Sequence, residues 1–258
     1  MNAVHRLLDP RKPPDMLDGL CALAVMTKAP RPGKVKTRLT PPLTPTEAAT
    51  LNTCFLRDTA TAIATTAREG IARGIAVYMP VGAEETYAVI LPAEFELIPQ
   101  RGDAIGERMA LAFEDLFSLG FDSVCLIGSD SPTLPQQAFA QAAQILTEPE
   151  DQVVLGPSED GGYYLIGLKK LHRALLEKIE WSTERVLEQT IKKAREINLP
   201  IHLLTTWYDV DDWATLRRLC RELFADQREP EAFPAPATRE YLNEILEREG
   251  RDRIWPGE

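Results

Sequence analysis

The 258-residue chain has only three histidines and four cysteines. His5, His172 and His202 stand far apart, and Cys21, Cys54, Cys125 and Cys220 form no CxxC pair. Neither a Cys/His zinc centre nor a disulfide framework is expected, and a reducing cytoplasm suits the thiols. Basic residues are in deficit: 29 Lys and Arg face 39 Asp and Glu, for a net charge of −10. That balance argues against general binding to nucleic acid or to an anionic membrane. Long apolar runs are missing as well. The first, Leu20 to Met26, is too short for a bilayer and follows an acidic, proline-bearing leader, so no signal peptide or membrane span is expected. GxSxG and HExxH do not occur, no histidine pairs with a plausible Ser or Cys nucleophile, and neither GxGxxG nor a Walker A loop follows the first apolar run.

What is present alternates. Leu20 to Met26 is continuously apolar and reads as a strand buried on both faces. Thr44, Pro45 and Glu47 form a capping box ahead of a helix striped by Leu51, Phe55, Leu56 and Ile63. Strands are expected at Ile75 to Met79 and Phe95 to Ile98. A helix striped by Met109, Ala112, Phe113, Leu116 and Phe117 follows and stops at Gly120. Ser123 to Ile127 is the next buried strand, and Thr133, Pro135 and Gln136 open a capped helix to about Thr147. Strands at Val153 to Leu155 and Tyr163 to Leu168 flank a turn, Ser182 is the expected cap of a helix towards Ile197, and Ile201 to Thr205 is strand-like. A helix carrying Trp213, Leu216, Leu219, Cys220 and Leu223 closes the core. This order implies right-handed crossovers and a three-layer α/β/α fold around a mostly parallel sheet. Residues 1–19 read as a leader, 20–225 as the domain, and 226–258 as an appended arm whose final helix, from about Thr238 to Glu249, bears an apolar stripe of Tyr241, Leu242, Ile245 and Leu246. Such a stripe needs a partner surface. Docking on the same chain is expected, with homodimerisation as the alternative.

Four segments could carry chemistry. KAPRPGKVKTRL, residues 28–39, holds five basic residues and no acid. It follows the first strand, where an open α/β sheet binds ligands, and a phosphate-bearing ligand is its natural partner. Asp130, beside Gly128 and Ser129, follows the Ser123 to Ile127 strand and is placed for Mg²⁺, which takes one or two protein carboxylates and completes its shell with water and phosphate; an Asx turn ahead of Pro132 explains it equally well. In YDVDDW, Asp209 and Asp211 are possible ligands, and Asp212 is the expected N-cap of the Trp213 helix. In SEDGG, Asp160-Gly161 is a hairpin signal, and Asp160 with Gly161 and Gly162 also suits close approach to an acceptor, as hydrogen-bond acceptor or general base. Trp181, before Ser182, is a stacking platform or a core residue.

The runs VMTKAPRPGKVKTRL, QRGDAIGERM, LIGSDSPTLP, LGPSEDGGYYLIGL, WSTERVLEQT and DVDDWATL together resemble bacterial glycosyltransferase-like proteins related to the phospholactate guanylyltransferases, a branch of the nucleotide-diphospho-sugar transferase superfamily with the GT-A fold. The resemblance covers about residues 20 to 220. It implies that Lys28, Lys36 and Arg38 contact phosphates, with Ser129 on the nucleotide side, and that Gln100, Gly106 and Arg108 approach base and ribose. Asp130 and Asp211 then hold Mg²⁺ or Mn²⁺. Lys28, Asp130 and Asp160 become the catalytic candidates, and Asp160, Gly161, Gly162, Trp181 and Ser182 face the acceptor. Asp130 stands in SDSP, not in a DxD triplet, and KAPRPG replaces the glycine-rich loop of sugar nucleotidyltransferases. The implied activity is metal-dependent transfer of a sugar from a nucleotide sugar to a small acceptor. Its alternatives are nucleotidyl transfer from an NTP to a phosphorylated acceptor, and nucleotide binding without turnover. No nucleic-acid or membrane partner is expected, and the chain is expected to be a monomer or homodimer.

Overall fold

The computed structural model describes residues 5–12, 17, 19–225 and 229–255. Parts of the leader (1–4, 13–16, 18) and of the arm (226–228, 256–258) therefore lie outside the described residues.

The strands are β1 (Cys21–Lys28), β2 (Ala72–Met79), β3 (Glu96–Pro99), β4 (Ser123–Ile127), β5 (Val153–Pro157), β6 (Tyr163–Leu168) and β7 (Ile201–Leu203). They form one sheet in the order β3-β2-β1-β4-β6-β5-β7. All run parallel except β6, which opposes both β4 and β5. The helices are α1 (Pro45–Ala67), α2 (Glu84–Tyr87), α3 (Ile105–Ser118), α4 (Gln136–Ile145), α5 (Val186–Glu196), α6 (Trp213–Phe224) and α7 (Pro236–Glu249).

The unbroken apolar composition of β1 has a direct structural cause. Leu23 and Val25 point into one core with α1, α4, α6 and α7. Ala22 and Ala24 point into the other, with α3 and α5. Period-2 alternation of side chains thus feeds two helical layers from one strand. All four cysteines are buried free thiols.

Local signals explain the starts of α1 and α6. Thr44 Oγ1 accepts from Glu47 N at 3.2 Å while Thr44 N donates to Glu47 Oε2 at 2.8 Å, a complete capping box. Asp212 accepts from Thr215 N at 2.9 Å at the start of α6. Two expected caps are corrected. Ser182 does not cap α5: it has φ +64°, whereas an N-cap takes extended backbone, and α5 begins four residues later at Val186. An early amide of α5, that of Leu187, donates instead to Gly161 O at 2.9 Å. Thr133 does not cap α4 either, because its hydroxyl lies among Trp207 Nε1, Tyr208 Oη and Glu222 Oε2 at 3.3 to 3.5 Å. The strand expected to reach Thr205 ends at Leu203, since the chain then turns back over the sheet edge.

Helix α7 docks on α1 of the same chain. Leu242 and Ile245 have no exposed surface, and the buried Asp58 carboxylate of α1 accepts from the amides of Ala237 and Thr238 at 3.0 and 2.8 Å, filling the first turn of α7. Arg253 reaches back to Glu47 at 3.0 Å. At the other end of the chain, Leu7 bridges Leu97 of β3, and His5 Nδ1 lies 2.9 Å from Phe95 O.

Candidate active site at the carboxyl edge of the sheet

β1 and β4 are neighbours, so their carboxyl ends deliver Lys28 and the Ser129-Asp130 pair to one place. Asp211 arrives by a longer route. After β7, at the far edge, the chain runs back across the strand ends: Trp207 N donates to Pro157 O at 3.0 Å, Glu159 N to Trp207 O at 2.9 Å, and Val210 N to Asp130 O at 2.8 Å. Carboxylates 81 positions apart in sequence thereby meet.

They meet on Lys36. Its ammonium lies 2.5 Å from Asp130 Oδ1, 2.8 Å from Asp211 Oδ1 and 3.0 Å from Val210 O, so all three N–H donors are engaged. The backbone of Lys36 is left-handed, with φ +47° and ψ +40°, a conformation that costs a non-glycine residue energy and clusters at functional sites. Only 5% of its side chain is exposed. Burial opposes its charge, but the two carboxylates outweigh that and hold its pKa above the ordinary lysine value. Arg38 Nη2 joins Asp211 Oδ2 at 2.9 Å. Burial would raise the Asp211 pKa, yet Lys36 and Arg38 together hold it below the usual carboxylate range.

A cavity of about 280 Å³ opens here, lined by Lys28, Lys36, Arg38, Ser129, Asp130 and Asp211 among others. Six sequence-derived candidates are thus brought together. The rest lie outside its lining. Gln100 donates its amide to Val77 O at 2.8 Å and Thr27 O at 3.1 Å, tying the ends of β2 and β1. Arg108 Nη1 rests 3.4 Å from Met79 Sδ. Gly106 has no room for a Cβ, which would stand 2.6 Å from Trp181 Nε1 and 2.7 Å from Leu176 O; the close neighbour that its missing side chain admits is Trp181. That indole meets Tyr163 edge-on at 6.4 Å. Asp160 is exposed and accepts from Gly162 N at 2.9 Å in an Asx turn. Gly161 has φ +87°, and a Cβ there would fall 2.0 Å from Glu184 O.

One residue of the site went unread in sequence, and another, read there as a possible ligand, is held by two serine hydroxyls. Asn52, from α1, lines the cavity and is 7% exposed; its signal was a polar residue on the apolar stripe of Leu51 and Phe55. Asp209 accepts from Ser158 Oγ at 3.0 Å and from Ser131 Oγ. Burial, reinforced by the charges of Asp130 and Asp160, raises its pKa to about 6. It therefore acts as a bridge between the β4 and β5 loops beneath the exposed carboxylates.

The two carboxylates fit a hard cation. One ammonium already spans them at contact distances, and their donors are all oxygen, the set preferred by Mg²⁺ and Mn²⁺. Among the described residues, no group of three His, Cys, Asp or Glu side chains is placed to hold a metal, and no helix is long and apolar enough to cross a membrane.

A family model described as "Uncharacterized protein conserved in bacteria (DUF2064)" matches residues 61–183. The chain is also similar to a solved structure from Desulfovibrio desulfuricans G20, provisionally described as a nucleotide-diphospho-sugar transferase. The two are 30% identical, with a TM-score of 0.76 over 87% of this chain and 94% of that one. The chain belongs to the nucleotide-diphospho-sugar transferase family. As a member it is a transferase. The fold of the family extends to CMP:2-keto-3-deoxy-manno-octonic acid synthetase in complex with CTP, which is 12% identical with a TM-score of 0.50 over 78% of this chain and 96% of that one. A manganese complex of Rv0371c from Mycobacterium tuberculosis H37Rv is more distant, 14% identical with a TM-score of 0.43 over 78% and 97%. No curated protein sequence matches.

Proposed function

We propose that this nucleotide-diphospho-sugar transferase is a Mg²⁺- or Mn²⁺-dependent glycosyltransferase-like enzyme that moves a sugar from a nucleotide-sugar donor to a small acceptor. The observation that carries the reading is the convergence of Asp130 and Asp211 with Lys28, Lys36 and Arg38 around one cavity. Carboxylates for a metal and cations for phosphate are the two requirements of a nucleotide diphosphate, which carries charge on several oxygens at once.

In this reading Asp130 and Asp211 would hold the metal, which would supply positive charge to the diphosphate oxygens. Lys28, Lys36 and Arg38 bind the phosphate oxygens and Ser129 supplies a neutral donor. Because the cations are in place before reaction, they stabilise the leaving group without reorganising water. Gln100 and Arg108 face the nucleoside, with Gln100 also fixing the strand ends. Gly106 admits the Trp181 indole, which with Ser182, Gly161 and Gly162 shapes the acceptor side. Asp160, exposed on the hairpin, accepts the acceptor's proton or hydrogen bond. Asn52 contributes a carboxamide that meets the ligand from α1. Binding energy spread over these groups aligns the two substrates, the main task in such a transfer.

The deciding experiment incubates the enzyme with nucleotide sugars or NTPs, Mg²⁺ and candidate acceptors. Release of nucleoside diphosphate is expected. Release of pyrophosphate would reassign the enzyme to nucleotidyl transfer, and binding without either product would make it a nucleotide-binding protein.

Two substitutions probe the assignment. Asp211→Asn removes the charge that meets Lys36 and Arg38, and should weaken metal-dependent nucleotide binding at least about tenfold, or ~1.4 kcal/mol. Asp212→Asn should stay near the parent, since Asn caps a helix about as well as Asp. The opposite pattern in calorimetry would exchange their roles. Asn52→Leu keeps the branched outline but removes the carboxamide, and should cost about 1 kcal/mol of nucleotide affinity, the typical worth of one hydrogen bond; unchanged affinity with an unchanged melting temperature would remove Asn52 from the site.

A further inference from the structure

The electrostatics of the cavity bear on the order in which its ligands enter. Asp130 and Asp211 carry two negative charges; Lys36 and Arg38, both in contact with them, carry two positive ones. The cluster is balanced as it stands. Each N–H of the Lys36 ammonium already has an acceptor, its charge also sits 5.4 Å from the centre of the Phe55 ring, and its left-handed backbone aims the side chain inward.

A divalent cation between the two carboxylates would have to take the place this ammonium holds. Entering alone, it would leave the cluster with a surplus of two positive charges and strand a nearly buried ammonium without acceptors, an unfavourable state for a charged group out of water. Entering with a nucleotide diphosphate, it meets neither penalty: the phosphate oxygens offset the added charge and give the displaced ammonium new acceptors of the same kind.

We propose that Lys36 is the resident cation of the Asp130–Asp211 pair, exchanged for a divalent metal only when a nucleotide diphosphate receives its ammonium, so that metal and nucleotide binding are coupled. The inference rests on the metal-dependent transferase reading above and adds an order to it: the enzyme accepts metal and nucleotide together, not metal first. Coupling of this kind is reciprocal, so the metal must tighten nucleotide binding by the factor with which the nucleotide tightens metal binding.

The test titrates Mn²⁺ alone into the full-length protein and follows the loss of the free-ion spin-resonance signal, for the parent and for Lys36→Met. The variant should bind Mn²⁺ alone at least tenfold more tightly than the parent, and adding Asp130→Ala to it should abolish that gain. In the parent itself, whose folding is not in question, the affinity for UDP, GDP or CDP measured by equilibrium dialysis should rise at least tenfold when Mn²⁺ is added. Equal Mn²⁺ affinity of parent and a cooperatively melting Lys36→Met protein would overturn the exchange, as would a parent that binds Mn²⁺ alone as tightly as it does with nucleotide. These failures leave the transferase reading standing if nucleotide binding remains metal-dependent. Absence of both Mn²⁺ and nucleotide binding in parent and variant would instead overturn the transferase reading, and the exchange with it.

Discussion

Asp130→Ala is expected to reduce metal-dependent nucleotide binding and turnover by at least about 100-fold while leaving the fold intact. Even outer-shell partners of a metal are worth roughly 10- to 100-fold in affinity or activity, and Asp130 is proposed as a direct ligand. Its carboxylate is 43% exposed and lies past the end of β4, so its removal opens no cavity in the core. Lys36 keeps Asp211 and Val210 O as acceptors, which limits the cost of the lost partner. Thermal melting should change little, whereas calorimetric titration with nucleotide and Mg²⁺ should lose its signal. A variant that folds and turns over normally would return Asp130 to a turn-forming role.

Leu242→Ala should produce the opposite pattern. The side chain is fully buried between α7 and the α1 layer, and truncating such a leucine costs about 2–5 kcal/mol through lost transfer energy and the cavity left behind. That is a large share of the roughly 5–15 kcal/mol that holds a domain together. At about 2–4 °C per kcal/mol for a domain of this size, the melting temperature should fall by roughly 4–20 °C. Nucleotide affinity of the folded fraction should be unchanged, because the polar contacts of α7 with α1 run to Asp58 and Glu47 and not to the charged groups around Lys36. Reduced affinity without a lower melting temperature would show that the arm shapes the site and not only the core.

The fold was legible where burial alone dictates the residue pattern. β1, β4 and β6 announce themselves as short apolar runs because each is covered on both faces, and the boundaries read for β4 and β6 match those observed. The boxes at Thr44 and Asp212 depend on residues three positions apart, so sequence carries them intact. Ser182 and Thr133 misled because their hydroxyls had two uses: a cap was chemically available to each, but tertiary contacts and a left-handed backbone decided otherwise. The short helix α2 left no periodic trace in four residues.

The site was legible in composition more than in geometry. The basic segment after β1 and the acids after β4 and β7 could be placed at one sheet edge by topology. That Lys36, and not one of the other four cations in its segment, would close on both acids depended on a positive φ and on a partner 175 positions away, neither of which a local pattern encodes. Asn52 was hidden for the reverse reason, as a polar residue within a helix whose stripe otherwise reads as core.

The segment returning from β7 also gives the site its own stability scale. The Val210 amide joins Asp130 through a single backbone bond between two loops, whereas β1 and β4 are held by ladders to a neighbouring strand on each side. Hydrogen exchange at Val210 should therefore proceed by a local opening that leaves the sheet intact, at a lower free energy than exchange from β1 or β4. A ligand that ties the Asp130 and Asp211 segments together must close that opening, so slower exchange at this amide reports occupancy of the cavity even when the bulk of the protein is already fully protected.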